Sequence, residues 1–204
     1  GILLQLPLPP GMDERRALGA IDVRKDVDGL LPYNIGCLAQ SGVKPCAVPC
    51  TAAGCMELLR RSGIDVAGKD CLVLGRSSIV GMPMALLLIQ ANATVKVCHS
   101  HSRDIADACA GADVVIAAVG QPGFVKGDWL KEGSVVIDVG INRVADSTAK
   151  RGYRLVGDVD FASACHRASR ITPVPGGVGP MTVAMLLNNT VDLAFQAASA
   201  GQLS

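Results

Sequence analysis

Four short segments constrain this chain more than anything else in it. Cys71-Leu-Val-Leu-Gly75, Thr94 to Cys98, Asp113-Val-Val-Ile-Ala-Ala-Val-Gly120 and Ser134-Val-Val-Ile-Asp-Val-Gly140 are rich in apolar and β-branched residues and mostly end at glycine. Helix-forming stretches separate them, at Gly81 to Gln90, at Arg103 to Ala110 and, more briefly, near Trp129. Strand alternating with helix is the sequence sign of a parallel sheet with crossover helices. Apolarity that is continuous, not alternating, means that both faces of the sheet are covered. The predicted fold class is therefore α/β, a Rossmann-like doubly wound parallel sheet.

Composition narrows the function classes. The 204 residues are 50% hydrophobic and 18% charged, enough for a buried core and too apolar for disorder. A net charge of +1 argues against a partner held mainly through a phosphate backbone, so no nucleic-acid role is expected. No stretch reaches the roughly 20 apolar residues of a membrane span. The eight cysteines contain no C-x-x-C pair, and several lie inside apolar runs. They read as reduced structural thiols and not as a metal site, which implies a reducing compartment: the cytoplasm, or alternatively the mitochondrion.

Outside the alternating region, Gly1 to Leu6 reads as a buried strand already under way, which makes the chain look like the later part of something longer. Asp13 is a predicted cap for a helix to about Ile21, and a second helix is expected from Pro32 to near Gly42. Thr51 is the expected N-cap of a helix over Ala52 to Ser62. Gly177 to Gln196 reads as a loop and one long helix. The expected division is residues 1–50 as the remainder of one domain, 51–172 as the dinucleotide-binding domain, and 173–204 as a loop and helix returning to the first.

In an open parallel sheet, ligands sit beyond the carboxyl ends of the strands. Leu74-Gly75-Arg-Ser-Ser-Ile-Val-Gly81 occupies that place after the first strand. Gly75 permits a sharp exit, and Gly81 lets the next helix approach sheet and pyrophosphate. It is not the G-x-G-x-x-G fingerprint, and a plain strand-to-helix turn would look similar. The end of the second strand discriminates better. An NAD site usually places a carboxylate there to accept from the ribose hydroxyl, whereas Cys98-His-Ser-His-Ser-Arg103 offers hydroxyls, imidazoles and a guanidinium. With Arg76 nearby, that chemistry suits a 2′-phosphate, and NADP is the expected cofactor. His99 and His101 have no further ligand cluster around them, and no metal is expected.

Six motifs then occur in order: Gln5-Leu-Pro-Leu-Pro9, Lys25-Asp-Val-Asp-Gly29, the Gly75–Pro83 turn, Asp138-Val-Gly-Ile-Asn142, Gly157-Asp-Val-Asp160 and Pro173-Val-Pro-Gly-Gly-Val-Gly-Pro-Met-Thr182. Together they resemble the bifunctional methylenetetrahydrofolate dehydrogenase/cyclohydrolases over essentially the whole chain. The resemblance implies NADP-dependent oxidation of 5,10-methylenetetrahydrofolate to the methenyl form, then hydrolysis to 10-formyltetrahydrofolate. It also implies a homodimer of two-domain subunits with the folate between the domains. By that likeness Gln5 and Asp28 are the catalytic candidates, with Leu4, Gln5, Leu6, Asp28, Pro175, Gly176, Gly177, Val178 and Gly179 around the folate. Gly75, Arg76, Ser77 and Ser100 would bind NADP, and Ile141 would pack at its nicotinamide end.

Two departures bear on this. The family's Pro-Cys-Thr-Pro reads Pro49-Cys-Thr-Ala52 here. Its Tyr-x-x-x-Lys, expected upstream of Gln5, is not matched, since Tyr33 and Tyr153 are followed four places on by Cys37 and Gly157. Two other readings therefore stand beside the enzyme: a non-catalytic folate- and NADP-binding or dimer-partner module, and a two-domain dehydrogenase acting on amino or hydroxy acids.

Overall fold

The computed structural model describes residues 1–199 and 201. In chain order the elements are α1 (Glu14–Gly19), a 3-10 turn (Val23–Lys25), α2 (Pro32–Leu38), α3 (Cys50–Arg61), β1 (Asp70–Leu74), α4 (Gly81–Gln90), β2 (Thr94–Cys98), α5 (Ile105–Ala110) and β3 (Val114–Ala117). A second 3-10 turn (Gly127–Trp129), β4 (Val135–Asp138), β5 (Asn142–Ala145), β6 (Tyr153–Val156), α6 (Phe161–Ala164), β7 (Arg170–Ile171) and α7 (Val178–Ser199) complete it.

Five strands form one sheet in the order β2-β1-β3-β4-β7, every neighbouring pair parallel. From β1 the chain crosses through α4 to β2 on one side, then through α5 to β3 on the other. The β1/β3 boundary is thus the point where the winding reverses, where such sheets place ligands. Continuous apolarity has the expected cause in the central strands. Cys71 and Val73 join Leu59, Met84, Leu88 and Ile116 in one buried cluster, while Leu72 and Leu74 join Val115, Leu130 and Val136 in another. Each fully buried Leu or Val side chain contributes on the order of 1.5–3 kcal/mol. β2 departs from the pattern: it is an edge strand, and its residues alternate between exposed and partly buried until Cys98.

Several local expectations are corrected. Gly1–Leu6 is not a buried strand. Only Ile2 bridges to Asp26, and Ile2 and Leu3 are each 44% exposed. Pro7, Pro9 and Pro10 follow directly and have no N–H to give a ladder. Thr51 does not cap α3, which starts at Cys50, two residues before the expected Ala52, with Pro49 in the cap position. The Thr51 hydroxyl instead lies 3.2 Å from that of Thr182 on α7. α2 stops at Leu38 because the chain tightens into successive three-residue turns, Ala39 N–H to Gly36 and Gln40 N–H to Cys37. α5 begins at Ile105, since Asp104 sits in the left-handed region at φ 51°. Asp13 does cap α1, accepting from the Arg16 N–H at 3.1 Å, though that helix ends at Gly19.

The antiparallel β5–β6 hairpin and β7 were not foreseen. The hairpin strands alternate between exposed and half-buried with no fully buried residue, and β7 has two residues, too few for a pattern.

Residues before α3 keep a small cluster of their own, in which Val27 and Ala47 pack with Leu193 of α7. The buried Asn189 amide ties α7 to the same region, donating to the Val27 carbonyl at 2.9 Å and the Val48 carbonyl at 2.8 Å. Along α7, Val183, Leu187, Val191 and Phe195 recur every fourth residue and are all exposed.

Candidate functional site

Two clefts meet at one loop. The first, about 490 Å³, opens at the β1/β3 boundary and is lined by Gly75, Arg76, Ser77, Cys98, His99, Ser100, Ile105, Val119, Gln121 and Phe124, among others. Gly75 takes φ 110°, which L side chains rarely adopt, and a Cβ there would overlap the Ala118 carbonyl oxygen. A Cβ on Gly81 would overlap the Gly75 carbonyl, so the start of α4 is pressed against the end of β1. Ser77 accepts from the N–H groups of Val80 and Gly81 at 3.2 and 3.4 Å, closing the turn. The result is a small-residue cradle at the N-terminus of a ten-residue helix, the arrangement that favours a phosphate group.

At the far end of that cleft, the His99 N–H donates to Ser102 Oγ at 3.0 Å, and His99 Nδ1 accepts from the His101 N–H at 3.2 Å. These bonds fix the 98–102 turn and leave Ser100 and Arg76 exposed toward solvent. Among the described residues, no three His, Cys, Asp or Glu side chains are grouped to hold a metal ion.

The second cleft, about 270 Å³, is lined by Leu3, Leu4, Gln5, Leu6, Asp28, Leu30, Cys50, Thr51, Ile79, Val80, Thr182, Val183 and Leu186. All four expected residues of the N-terminal part, Leu4, Gln5, Leu6 and Asp28, come together here. Asp28 is presented by a rigid turn. The neighbouring Asp26 carboxylate accepts from the N–H groups of Gly29 and Leu31 and from the Asn34 amide, at 3.0, 2.9 and 2.8 Å. Burial pushes the Asp28 carboxyl above the usual aspartate range, against the opposing effect of the Cys50 thiol beside it. Burial and the Asp28 charge push that thiol up to about 12.

The 75–81 loop borders both clefts, with Gly75, Arg76 and Ser77 on one and Ile79 and Val80 on the other. One short backbone segment thus forms part of the wall of both clefts.

The Pro175–Gly179 segment is placed differently. It is not among the residues lining either cleft. It forms the tight turn into α7, with a Cβ on Gly177 falling 2.5 Å from the Pro173 carbonyl oxygen. The Val178 side chain is buried against the sheet, so any ligand contact from this loop comes from backbone or from Pro175. Ile141 is 60% exposed and lies outside both linings, its Cδ1 3.7 Å from where a Gly179 Cβ would stand.

Sequence reasoning missed Leu30, Cys50, Ile79 and Thr182 in the second cleft, and Val119, Gln121 and Phe124 in the first. A helical face was the available signal for two residues of α7. Thr182 and Asn189 are seven apart, and both turn toward α3 and the 27–48 region.

Residues 49–198 match the family model described as tetrahydrofolate dehydrogenase/cyclohydrolase, NAD(P)-binding domain. The bifunctional protein FolD 2 of Arabidopsis thaliana is 59% identical over 192 residues, which are 94% of this chain and 64% of that protein. The mitochondrial C-1-tetrahydrofolate synthase of Saccharomyces cerevisiae is 59% identical over 191 residues, 94% of this chain and 20% of that one. A solved structure of the Trypanosoma brucei methylenetetrahydrofolate dehydrogenase-cyclohydrolase, complexed with NADP and an inhibitor, superposes with a TM-score of 0.91 at 52% identity, covering 95% of this chain and 66% of that one. The chain thus spans less than two thirds of each of these relatives.

Proposed function

The chain belongs to the tetrahydrofolate dehydrogenase/cyclohydrolase family, and from that premise we propose that it oxidises 5,10-methylenetetrahydrofolate with NADP and hydrolyses the methenyl product to 10-formyltetrahydrofolate. The observation that carries the reading is the 75–81 loop shared by the two clefts. A hydride passes only between molecules held face to face, and holding them so supplies most of the rate.

The cofactor cleft fits NADP by its chemistry: a glycine cradle at a helix N-terminus for the pyrophosphate, and Arg76 with Ser100 for the 2′-phosphate. NADP, when bound, supplies a hydride acceptor. On the other side of the loop, Asp28 accepts from the amino group and ring N–H of the pterin, a donor pair that one carboxylate matches bidentately. Leu4, Leu6, Leu30 and Leu186 wall the cleft against bulk water. The Gln5 amide, whose Nε2 donates to the Leu6 carbonyl at 3.1 Å, keeps its oxygen free to orient the water that opens the methenyl ring.

The domain division at residues 50 and 172, a homodimeric assembly and a cytoplasmic location belong to the same reading. Buried, neutral thiols at Cys55, Cys71 and Cys109 support a reducing compartment, and the yeast relative's name makes the mitochondrion the second choice. No helix among the described residues is long and apolar enough to cross a membrane.

The test is to mix the protein with NADP and methylenetetrahydrofolate and follow NADPH by absorbance. Turnover is expected, with Asp28→Ala weakening folate affinity roughly 10–100-fold through loss of a charge-assisted pair. A protein that forms no NADPH would favour the binding-module reading. Folate affinity untouched by Asp28→Ala would remove Asp28 from the site.

A further inference from the structure

Asp138-Val-Gly-Ile-Asn142 and Gly157-Asp-Val-Asp160 line neither cleft, yet each motif puts a carboxylate inside the molecule. Asp138 is 2% exposed and Asp158 0%. Among the described residues, neither forms an ion pair with a lysine or arginine. A buried carboxylate without a cation is tolerated only where N–H donors converge on it.

The two use their donors differently. Asp138 accepts from the N–H groups of Gly140, Asp158 and Val159 at 3.0, 2.9 and 3.0 Å, and so fastens β4 to the chain after β6. Asp158 reaches sideways. Its Oδ2 accepts from the N–H groups of Val119 and Gly120 at 2.6 and 2.8 Å, and its Oδ1 from the Asn142 amide at 2.8 Å. One side chain thereby joins the loop after β3 to Asn142, the first residue of β5, where the loop after β4 ends.

Those loops lie where one end of a dinucleotide must fall. The hydroxyl- and guanidinium-bearing turn that suits the 2′-phosphate sits at the end of β2, on one side of β1. A dinucleotide crossing the β1/β3 boundary from there carries its nicotinamide past β3, toward β4. Val119 already lines the cofactor cleft, and Asn142 directly follows Ile141.

We propose that Asp158 is a positioning residue for the nicotinamide half of the cofactor, strapping the 119–120 loop to the end of the 139–141 loop, through Asn142 at the start of β5, at the spacing that hydride transfer needs. The inference rests on the NADP reading above.

Asp158→Asn keeps the shape and turns one acceptor into a donor. Asn142→Ala cuts only the strand of the strap that reaches the second loop, at a half-buried position, and decides the matter alone if Asp158→Asn does not fold. Three measurements are made on each: affinity for 2′,5′-ADP, the fluorescence anisotropy of bound NADPH, whose emitting group is the dihydronicotinamide ring, and the rates of the two reactions.

Expected are 2′,5′-ADP affinity and cyclohydrolase rate within about twofold of the parent, lower anisotropy, and a dehydrogenase rate down roughly 10–100-fold, the scale of a small misplacement of reacting groups. Equal losses in both reactions and in 2′,5′-ADP affinity would make Asp158 a folding residue only. Unchanged anisotropy and dehydrogenase rate would also overturn the proposal. If the unsubstituted protein binds no 2′,5′-ADP, the NADP reading falls first and the strap with it.

Discussion

At the scale of single residues, the role proposed for Asp28 sets function against stability. Its carboxyl is raised by burial, so the folded chain holds a proton there over a pH range in which the unfolded chain has released it. The stability that the protonated form contributes is complete below the ordinary aspartate value and is lost as pH rises through the raised one. Above that range the ionised group is thus a cost to the folded chain. Asp28→Asn is expected to unfold at equal or higher urea concentration at pH 7, an advantage that shrinks in acid, while losing folate affinity. Lower urea tolerance at pH 7 would contradict this. Folate affinity of the parent should likewise fall as pH drops through the raised value, because a protonated carboxyl no longer accepts at both oxygens. Arg76 carries a separate prediction. Its exposed guanidinium would recognise the 2′-phosphate and little else, so Arg76→Ala should raise KM for NADP by about 10-fold or more and leave KM for NAD nearly unchanged. Initial rates with both nucleotides test it.

At the scale of elements, the sequence patterns were readable where burial is two-sided and unreadable where it is not. β1, β3 and β4 announce themselves because helices cover both faces and their inner residues are apolar on both, with Asp70 and Asp138 only at strand ends. The β5–β6 hairpin has no such requirement, and the cation–π contact of Arg143 over Tyr153, 5.0 Å from the ring centre, joins residues whose partnership depends on the turn between them. Helix ends were read from cap chemistry, which succeeded at Asp13 and failed at Thr51, because α3 already begins at Cys50 and Thr51 lies inside its first turn. Glycines show the same division. Gly36, inside α2, has open space around its missing Cβ, and Gly36→Ala should stabilise the chain by roughly 0.5–1 kcal/mol. Gly81→Ala must push α4 away from β1 and should cost about 1–3 kcal/mol, with loss of NADP binding. Urea unfolding of the two variants is expected to give opposite signs, and a Gly81→Ala chain as stable as the parent would contradict the tight cradle.

At the scale of the whole molecule, the cysteines report how completely the chain closes around its sheet. Six of the eight are buried, and burial pushes Cys55 up to about 12 and Cys71 and Cys109 to about 11. Native protein treated with a thiol reagent should therefore react fast at exposed Cys165, slowly at half-buried Cys46, and at all eight only after unfolding. Fast loss of more thiols would mean an interior that opens readily. What the sequence determined by itself was local: the period of the apolar runs, the glycines where backbone must turn sharply, and the family motifs that carried the cofactor and substrate expectations. The tertiary structure decided which pieces meet. It put β2 at an edge, gave the 75–81 loop a cleft on each side, and set Asn189 against Val27 and Asp158 against Val119. Strand period and turn chemistry act over a few residues and leave their mark in composition. A hydrogen bond between Val27 and a side chain 162 positions away exists only once α7 has packed against the 27–48 region.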